Sequence, residues 1–506
     1  MALITEKLKT DLEGLSSNLS ELNPPELQAQ LRAKIATAIS KLDSTESARE
    51  QPLREQPLRE QMDAAYQARN LIRLMLSGIE IDSERLVKIA DDSLTTVEPL
   101  KTARSSIESL AEQLYKAKRN RPDKPGETIV IAGAARNIEI LEEIARLCIA
   151  DGINFILDIS KDKLDAIMIN AADDEGIARL GKEKTDTYKP AKTALVVGSL
   201  STTEFDQDKM TKYTKALSEH TNRFKSGDLD FSLTIIPTEN DAELDGIEYN
   251  EYMRLFFESC DQPWEAISRA QARLIEKLDK GKELKITNAD GTNLTIDIDG
   301  FTFANSGADK NVPGSEIFSA PKKEGVNGKL VSKGTFKYKK FPLVRNITLV
   351  FENGKIVEAH AEEGEETLKQ IIATDEGSHF IGEIAFGTNP HLRRHFVNPH
   401  LAEKISKSFH VAIGGCYTFK KYGDQDVNVN NGNKSDIHWD ITTMLKDEGS
   451  EVHLDGQLLQ KNGIWVDETG SPDQNLAVLN YGWGAMPEDT PRPDWWKERY
   501  PNGYVD

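Results

Sequence analysis

A chain of 506 residues is too long for one ordinary hydrophobic core and predicts two or three domains. Its 63 basic residues against 83 acidic ones give a formal charge of −20, which repels nucleic acid and anionic membrane surfaces and argues against either as a partner. Cys148, Cys260 and Cys416 fit neither a disulfide framework nor a Cys-x-x-Cys metal site; with a charged opening segment and no long apolar run, they predict a cytoplasmic chain without a membrane span.

In chain order, Leu8, Leu12, Leu15, Leu19 and Leu22 recur at the spacing of one helical stripe and predict an amphipathic helix over 5–22. The stripe is too short for an independent coiled coil and reads as a packing surface. Asn23-Pro-Pro-Glu26 then offers an N-cap, first-turn prolines and a reciprocal glutamate, opening a second helix with Leu27, Leu31, Ile35, Ile39 and Leu42 on its inner face. Around residue 50 a Gln-Pro-Leu-Arg-Glu repeat interrupts helical structure, which resumes to about Lys118. Residues 1–120 are thus predicted to form a helical N-terminal extension, closed by the linker Arg119-Asn-Arg-Pro-Asp-Lys-Pro-Gly126.

From Thr128 short apolar runs at 128–132, 154–159, 194–197 and 231–236 alternate with helical segments, the pattern of a mainly parallel sheet flanked by helices. This α/β domain is predicted over 127–284 and includes one long helical stretch from about Tyr249 to Lys280. Strand-type alternation follows at 293–298 and 346–359, with Asn353-Gly354 as a type I′ hairpin signal. Residues 285–465 are predicted as a mostly antiparallel β-rich domain, so the fold class is α/β plus α+β. Residues 466–506, with Trp483, Trp495 and Trp496, lack periodicity and predict an irregular tail wrapping over the body.

Of nine histidines only His220 precedes residue 360, which directs attention to the C-terminal half. His438-Trp439-Asp440 follows the polar run 430–435, and strand geometry would send His438 and Asp440 to one face, an imidazole and a carboxylate converging as a divalent metal requires. The ordinary explanation of an isolated His-x-Asp is a hydrogen-bonded surface pair. His410 lies in the apolar run Phe409-His-Val-Ala-Ile-Gly-Gly-Cys-Tyr417, where a single histidine is more often a satisfied core residue.

Four segments taken together are more specific. Asn311-Val-Pro-Gly-Ser-Glu316-Ile-Phe-Ser-Ala-Pro321, Gly382-Glu383-Ile-Ala-Phe-Gly-Thr-Asn-Pro390, His410-Val-Ala-Ile-Gly-Gly-Cys-Tyr417 and Ser435-Asp-Ile-His438-Trp-Asp440 resemble, in order, the metal-site motifs of the thermophilic-type metallo-aminopeptidases, the aminopeptidase T family. The resemblance is strongest over 285–465 and does not explain 1–120 or the tail. It implies Glu316, Glu383, His410, Tyr417, His438 and Asp440 as metal ligands, peptides as substrates and a homodimer. Asn293 and Ala402 stand where the family usually has aspartate, both outside the ligand positions.

Three carboxylates, two imidazoles and a phenol suffice for two divalent ions bridged by a carboxylate and a water, and mixed nitrogen and oxygen ligation suits zinc, cobalt or manganese. Such a pair would activate water, polarise the scissile carbonyl and anchor a free α-amine, the last making the enzyme an exopeptidase. Glu316 and Glu383 are the candidates for the proton-shuttling base, and Tyr417 for an oxyanion donor. A rival reading is a mononuclear iron dioxygenase of the 2,5-dihydroxypyridine type, using His410, His438 and Asp440; the presence of Glu316 and Glu383 favours two metals. A third is a non-catalytic scaffold working through the helical extension.

Other signals carry less. His391-Leu-Arg-Arg-His395 has helical zinc-pair spacing but no glutamate base, which predicts a surface or substrate-channel role, while His400 and His453 read as structural or solvated. Ala132-Gly-Ala-Ala-Arg-Asn137 is an incomplete nucleotide loop and reads as a tight strand-to-helix turn. No Gly-x-Ser-x-Gly elbow occurs.

Overall fold

The computed structural model describes residues 104–117 and 125–501, apart from 161, 201, 202, 204, 339 and 340, with Ala36 alone before them. The helices predicted over 5–22 and from Asn23, and the repeat near residue 50, lie outside the described residues; the end of the predicted helical stretch is the helix Arg104–Lys116. Among the described residues no helix is long and apolar enough to cross a membrane. Among the described residues the chain divides into two compact units, one of 125–231 and the other of 104–117 together with 232–501.

In the first unit β1 (Thr128–Ala134), β2 (Asn154–Ser160) and β3 (Thr193–Ser199) are joined through helices, in the order β2-β1-β3, and β4 (Asp230–Ile236) runs through the division. β1 pairs in parallel with both β2 and β3. Five consecutive residues of β1 are buried, the unbroken apolar run of a strand covered on both faces. The turn after β1 is structural: a Cβ on Gly133 would lie 2.4 Å from Val197 O, and the Asn137 side-chain amide donates to Val197 O and Gly198 O, each at 3.1 Å. Asn137 fills the turn where a nucleotide loop would need open backbone amides.

In the second unit, after the short helix Glu239–Asp245, come the helices Tyr249–Cys260 and Trp264–Leu278. The single stretch predicted here is two helices, because Pro263 has no N–H to donate to Ser259 O and so interrupts the ladder. The released Ser259 carbonyl accepts the Asn389 side-chain amide at 3.0 Å. Beyond residue 465 the region expected to be irregular contains the short helices Ala477–Tyr481 and Asp494–Arg499. Its tryptophans tie it to the helix break: Trp483 Nε1 donates to Asp261 O at 2.9 Å and Trp495 Nε1 to Asp261 Oδ2 at 3.0 Å.

Two antiparallel sheets follow. In chain order their strands are β5 (Glu283–Thr287), β6 (Asn293–Asp297), β7 (Ala304–Ser306), β8 (Glu316–Ser319), β9 (Val326–Phe336), β10 (Val344–Glu352) and β11 (Lys355–Glu363). Then come β12 (Ile381–Gly387), β13 (Ser408–Gly414), the pair β14 (Lys421–Tyr422) and β15 (Gln425–Asp426), β16 (His438–Met444), β17 (Glu451–Leu454), β18 (Gln457–Lys461) and β19 (Ile464–Trp465). The larger sheet runs β11-β10-β9-β6-β5-β17-β18-β19 and the smaller β16-β13-β12-β8-β7.

Side chains of both sheets and of the helix Trp264–Leu278 share one core, including Ile267, Leu274, Leu284, Ile286, Leu294 and Ile296. The smaller sheet contributes Ile317, Ile384, Phe386, Phe409, Val411, Ile413, Trp439 and Ile441. Because strand side chains alternate, the residues between these apolar ones are sent to the opposite face. They include Glu316, Glu383, His410, His438 and Asp440.

The hairpin predicted at Asn353-Gly354 joins β10 to β11, with Glu352 opposite Lys355 and positive φ at both turn residues, 48° and 79°. A Cβ on Gly354 would also lie 1.8 Å from Lys323 O. Gly354→Ala is therefore expected to destabilise the second unit by about 1–3 kcal/mol, read as a lower denaturation midpoint in urea; an unchanged midpoint would show that the turn relaxes freely.

Candidate metal centre

Four neighbouring strands, β16, β13, β12 and β8, each place acidic or imidazole side chains on the face away from the core. Asp440 and Glu383 both register against Ala412, a small, fully buried residue that leaves room between the two carboxylates. His410 stands one step along β13, opposite Ala385.

Glu316, Glu383 and His410 offer ligand atoms within 4.8 Å of one another, and Glu383, His438 and Asp440 do the same. Glu383 belongs to both triads and divides its oxygens between them, Oε1 lying 3.9 Å from His410 Nε2 and Oε2 3.1 Å from His438 Nε2. Asp440 Oδ1 is 3.9 Å from His410 Nε2 and 3.8 Å from His438 Nε2. His438 Nδ1–H donates to Gly415 O at 2.8 Å, which fixes the ring and turns Nε2 toward the carboxylates. Both His410 ring nitrogens and Glu316 Oε2 are buried without a hydrogen-bond partner. Such orphaned atoms are costly unless something else takes up their lone pairs.

Tyr417 sits at the rim, 39% exposed, its ring 5.3 Å from that of His438 and 5.5 Å from that of Phe318. His391 and His395 lie elsewhere and are not on a helix. His391, which lines a cavity with Arg393 and Trp496, packs against Trp495 and pairs with Glu258 at 2.9 Å, and His395 meets the Phe336 ring edge on.

Local hydrogen bonds hold the ligand-bearing backbone. The buried Gln271 side-chain amide donates to Glu316 O at 3.0 Å and Thr388 Oγ1 at 2.9 Å, joining the helix Trp264–Leu278 to the start of β8. In the polar run before His438, Asn431 donates to Pro321 O and Ile381 O, and Asn433 to Gly377 O and Gly414 O. Asp375 accepts from Ser435 Oγ and the Asp436 N–H, fixing the approach to β16.

Two residues absent from the predicted set complete the cluster. Lys404 is fully buried, its Nζ 2.5 Å from Glu316 Oε1 and 3.0 Å from Glu403 Oε2. Glu403-Lys404 in sequence looks like an ordinary surface pair, and only the contact with Glu316, 88 positions earlier, shows otherwise.

Charge in this pocket is unbalanced. Burial, and the nearness of Glu403 and Glu383, push Glu316 up to about 8 in spite of Lys404, and burial with neighbouring carboxylates raises Asp440 well above the usual range. Against its burial, His438 is pushed up to about 10 by Asp440 and Glu383, while burial lowers His410 to about 4. Lys404 holds Glu403 down at about 2 despite its burial. Positive charge is what the carboxylates of this cluster lack.

The thermophilic metalloprotease family (M29) matches residues 103–465, and the chain belongs to that family. It is 30% identical over 255 residues to aminopeptidase AmpS of Bacillus subtilis, a match covering 46% of this chain and 62% of that protein. Aminopeptidase T of Thermus aquaticus is 32% identical over 168 residues, covering 31% of this chain and 40% of that protein. The matched regions thus span less than two thirds of these relatives. Among solved structures, wild-type AmpT from Thermus thermophilus superposes with a TM-score of 0.59 at 21% identity, over 72% of this chain and 100% of that one, a likeness of fold.

One neighbour of the centre gives the fold an acid limit. His400 is 3% exposed and bonded to Val312 O at 3.1 Å, and burial, helped by Lys404, lowers it to about 4 from its ordinary 6.5. Between those values the unfolded chain binds the proton and the folded one does not, so stability falls as pH drops through this window. The slope approaches about 1.4 kcal/mol per pH unit for one such group. His400→Gln, measured by urea unfolding at pH 7, 6 and 5, is expected to flatten this slope; an unchanged slope would place the acid sensitivity elsewhere.

Proposed function

We propose that the chain is a metal-dependent aminopeptidase in which Glu316, Glu383, His410, His438 and Asp440, with Tyr417 at the rim, hold two divalent ions such as zinc, cobalt or manganese. The single observation that carries this reading is the division of Glu383 between two triads, one oxygen toward each imidazole. The donor set fits divalent cations: mixed nitrogen and oxygen, buried, with orphaned lone pairs on His410 and Glu316 and an excess of carboxylate. Membership of the M29 family and similarity to proteins named aminopeptidases support the same activity.

Bound there, the ions would lower the pKa of a water and polarise a peptide carbonyl. The remaining work falls to the chain. His438 keeps Nε2 directed into the site through its bond to Gly415 O, and Gln271 and the asparagines keep the ligand strands from shifting. The water's proton has to reach the leaving amine; Glu383 turns one oxygen to each position and Glu316 holds one on Lys404, so either would carry the proton only by giving up a metal contact. In place of ligating, the Tyr417 hydroxyl would donate to the oxygen that gains negative charge as the carbonyl is attacked. The acidic surroundings favour a free amino terminus, which makes the substrate a peptide's first residue. We further propose a cytoplasmic homodimer with residues 1–120 as a helical extension.

The test uses peptide amides with free or acetylated amino termini and the full chain loaded with zinc, cobalt or manganese. Hydrolysis of the free peptides alone, lost on chelation and restored by metal, is expected. Glu383→Gln and His438→Ala are each expected to lower kcat/KM on the order of a thousandfold, the equivalent of about 4 kcal/mol, with the circular dichroism spectrum unchanged. One bound iron, oxygen uptake and no hydrolysis would replace this reading with a dioxygenase.

A further inference from the structure

Lys404 meets one end of the cluster and not the other. Its Nζ lies 2.5 Å from Glu316 Oε1, and its backbone is fixed, the carbonyl accepting the Asn389 N–H at 2.9 Å and the N–H donating to Leu401 O at 3.0 Å. Glu316 therefore has one oxygen committed to an ammonium and one, Oε2, buried without a hydrogen-bond partner, 3.5 Å from His410 Nε2. At the other end Glu383 Oε2 and Asp440 Oδ1 face His438 Nε2, at 3.1 and 3.8 Å.

Resting on the metal-dependent reading above, we propose that Lys404 makes the two metal positions unequal. Seated on Oε1 of Glu316, it restricts that carboxylate to ligation through Oε2 and weakens the position formed by Glu316, Glu383 and His410. The position formed by Glu383, His438 and Asp440 fills first and holds its ion more tightly. Lys404 is a positioning residue: it acts through Glu316, and it sets the order of metal loading. A positive charge beside one ligand lowers the field that attracts a second cation there, and the effect is large because the pair is fully buried.

The experiment is native mass spectrometry of the full chain, stripped with chelator and titrated with zinc. A one-zinc species is expected to accumulate before the two-zinc species, with dissociation constants at least about tenfold apart. Glu316→Gln is expected to abolish the second step and keep the first, Asp440→Asn to weaken the first, and Lys404→Met to bring the two steps within about threefold. Two equal steps in the wild type, or loss of the first ion in Glu316→Gln, overturns the proposal. Should Lys404→Met fail to fold without metal, Lys404→Gln takes its place, and steps that stay as far apart in either folded variant as in the wild type overturn the proposal. Unequal loading without peptide hydrolysis would sustain the asymmetry and sink the aminopeptidase reading, and equal loading with hydrolysis would do the reverse.

Discussion

Like charges crowded out of water govern this molecule. Glu316, Glu383 and Asp440 converge on one face of a five-stranded sheet, with Glu403 alongside, and their mutual repulsion in a buried setting has to be offset by positive charge. Lys404 supplies part of it, and His438, pushed up by Asp440 and Glu383, supplies more. The sheet makes the crowding possible, since the opposite face of the same strands is committed to an apolar core through Phe409, Val411, Ile413, Trp439 and Ile441. A one-residue slip of β13 or β16 would bury the ligands in that core and expose its aliphatic side chains, so register and site are specified by the same alternation.

Much of the surrounding polar structure reads as a consequence. Gln271 anchors Glu316 from a helix, Asn389 links the break before Trp264 to Lys404, and the asparagine run 431–433 staples the approach to β16. Each of these bonds joins backbone segments far apart in sequence, which keeps the carboxylates from relaxing away from one another. An arrangement that holds repelling groups in place before a ligand arrives has its reorganisation done in advance, as catalysis by preorganised charge requires.

The sequence carried the period-two information well. The parallel strands, the Asn353-Gly354 hairpin and the shared face of His438 and Asp440 follow from local spacing, and the four motifs marked which distant residues meet. Local spacing also misled: the helical pattern from Tyr249 ran through Pro263, whose effect on the ladder splits it. The tail's short helices had too few residues for a period to register, and its tryptophans act by reaching Asp261, more than two hundred positions away. Lys404 was beyond sequence reasoning for a related reason. A lysine after a glutamate is a surface pattern almost everywhere, and its burial here depends on a strand that begins 88 residues earlier.

Anomalous diffraction from crystals grown with zinc bears most directly on the shared role of Glu383. The account predicts anomalous peaks on either side of that carboxylate, one approached by Glu316 and His410 and the other by His438 and Asp440. Zinc bound away from Glu383, or Glu316 and Glu383 turned outward from the His438 and Asp440 pair, would contradict it.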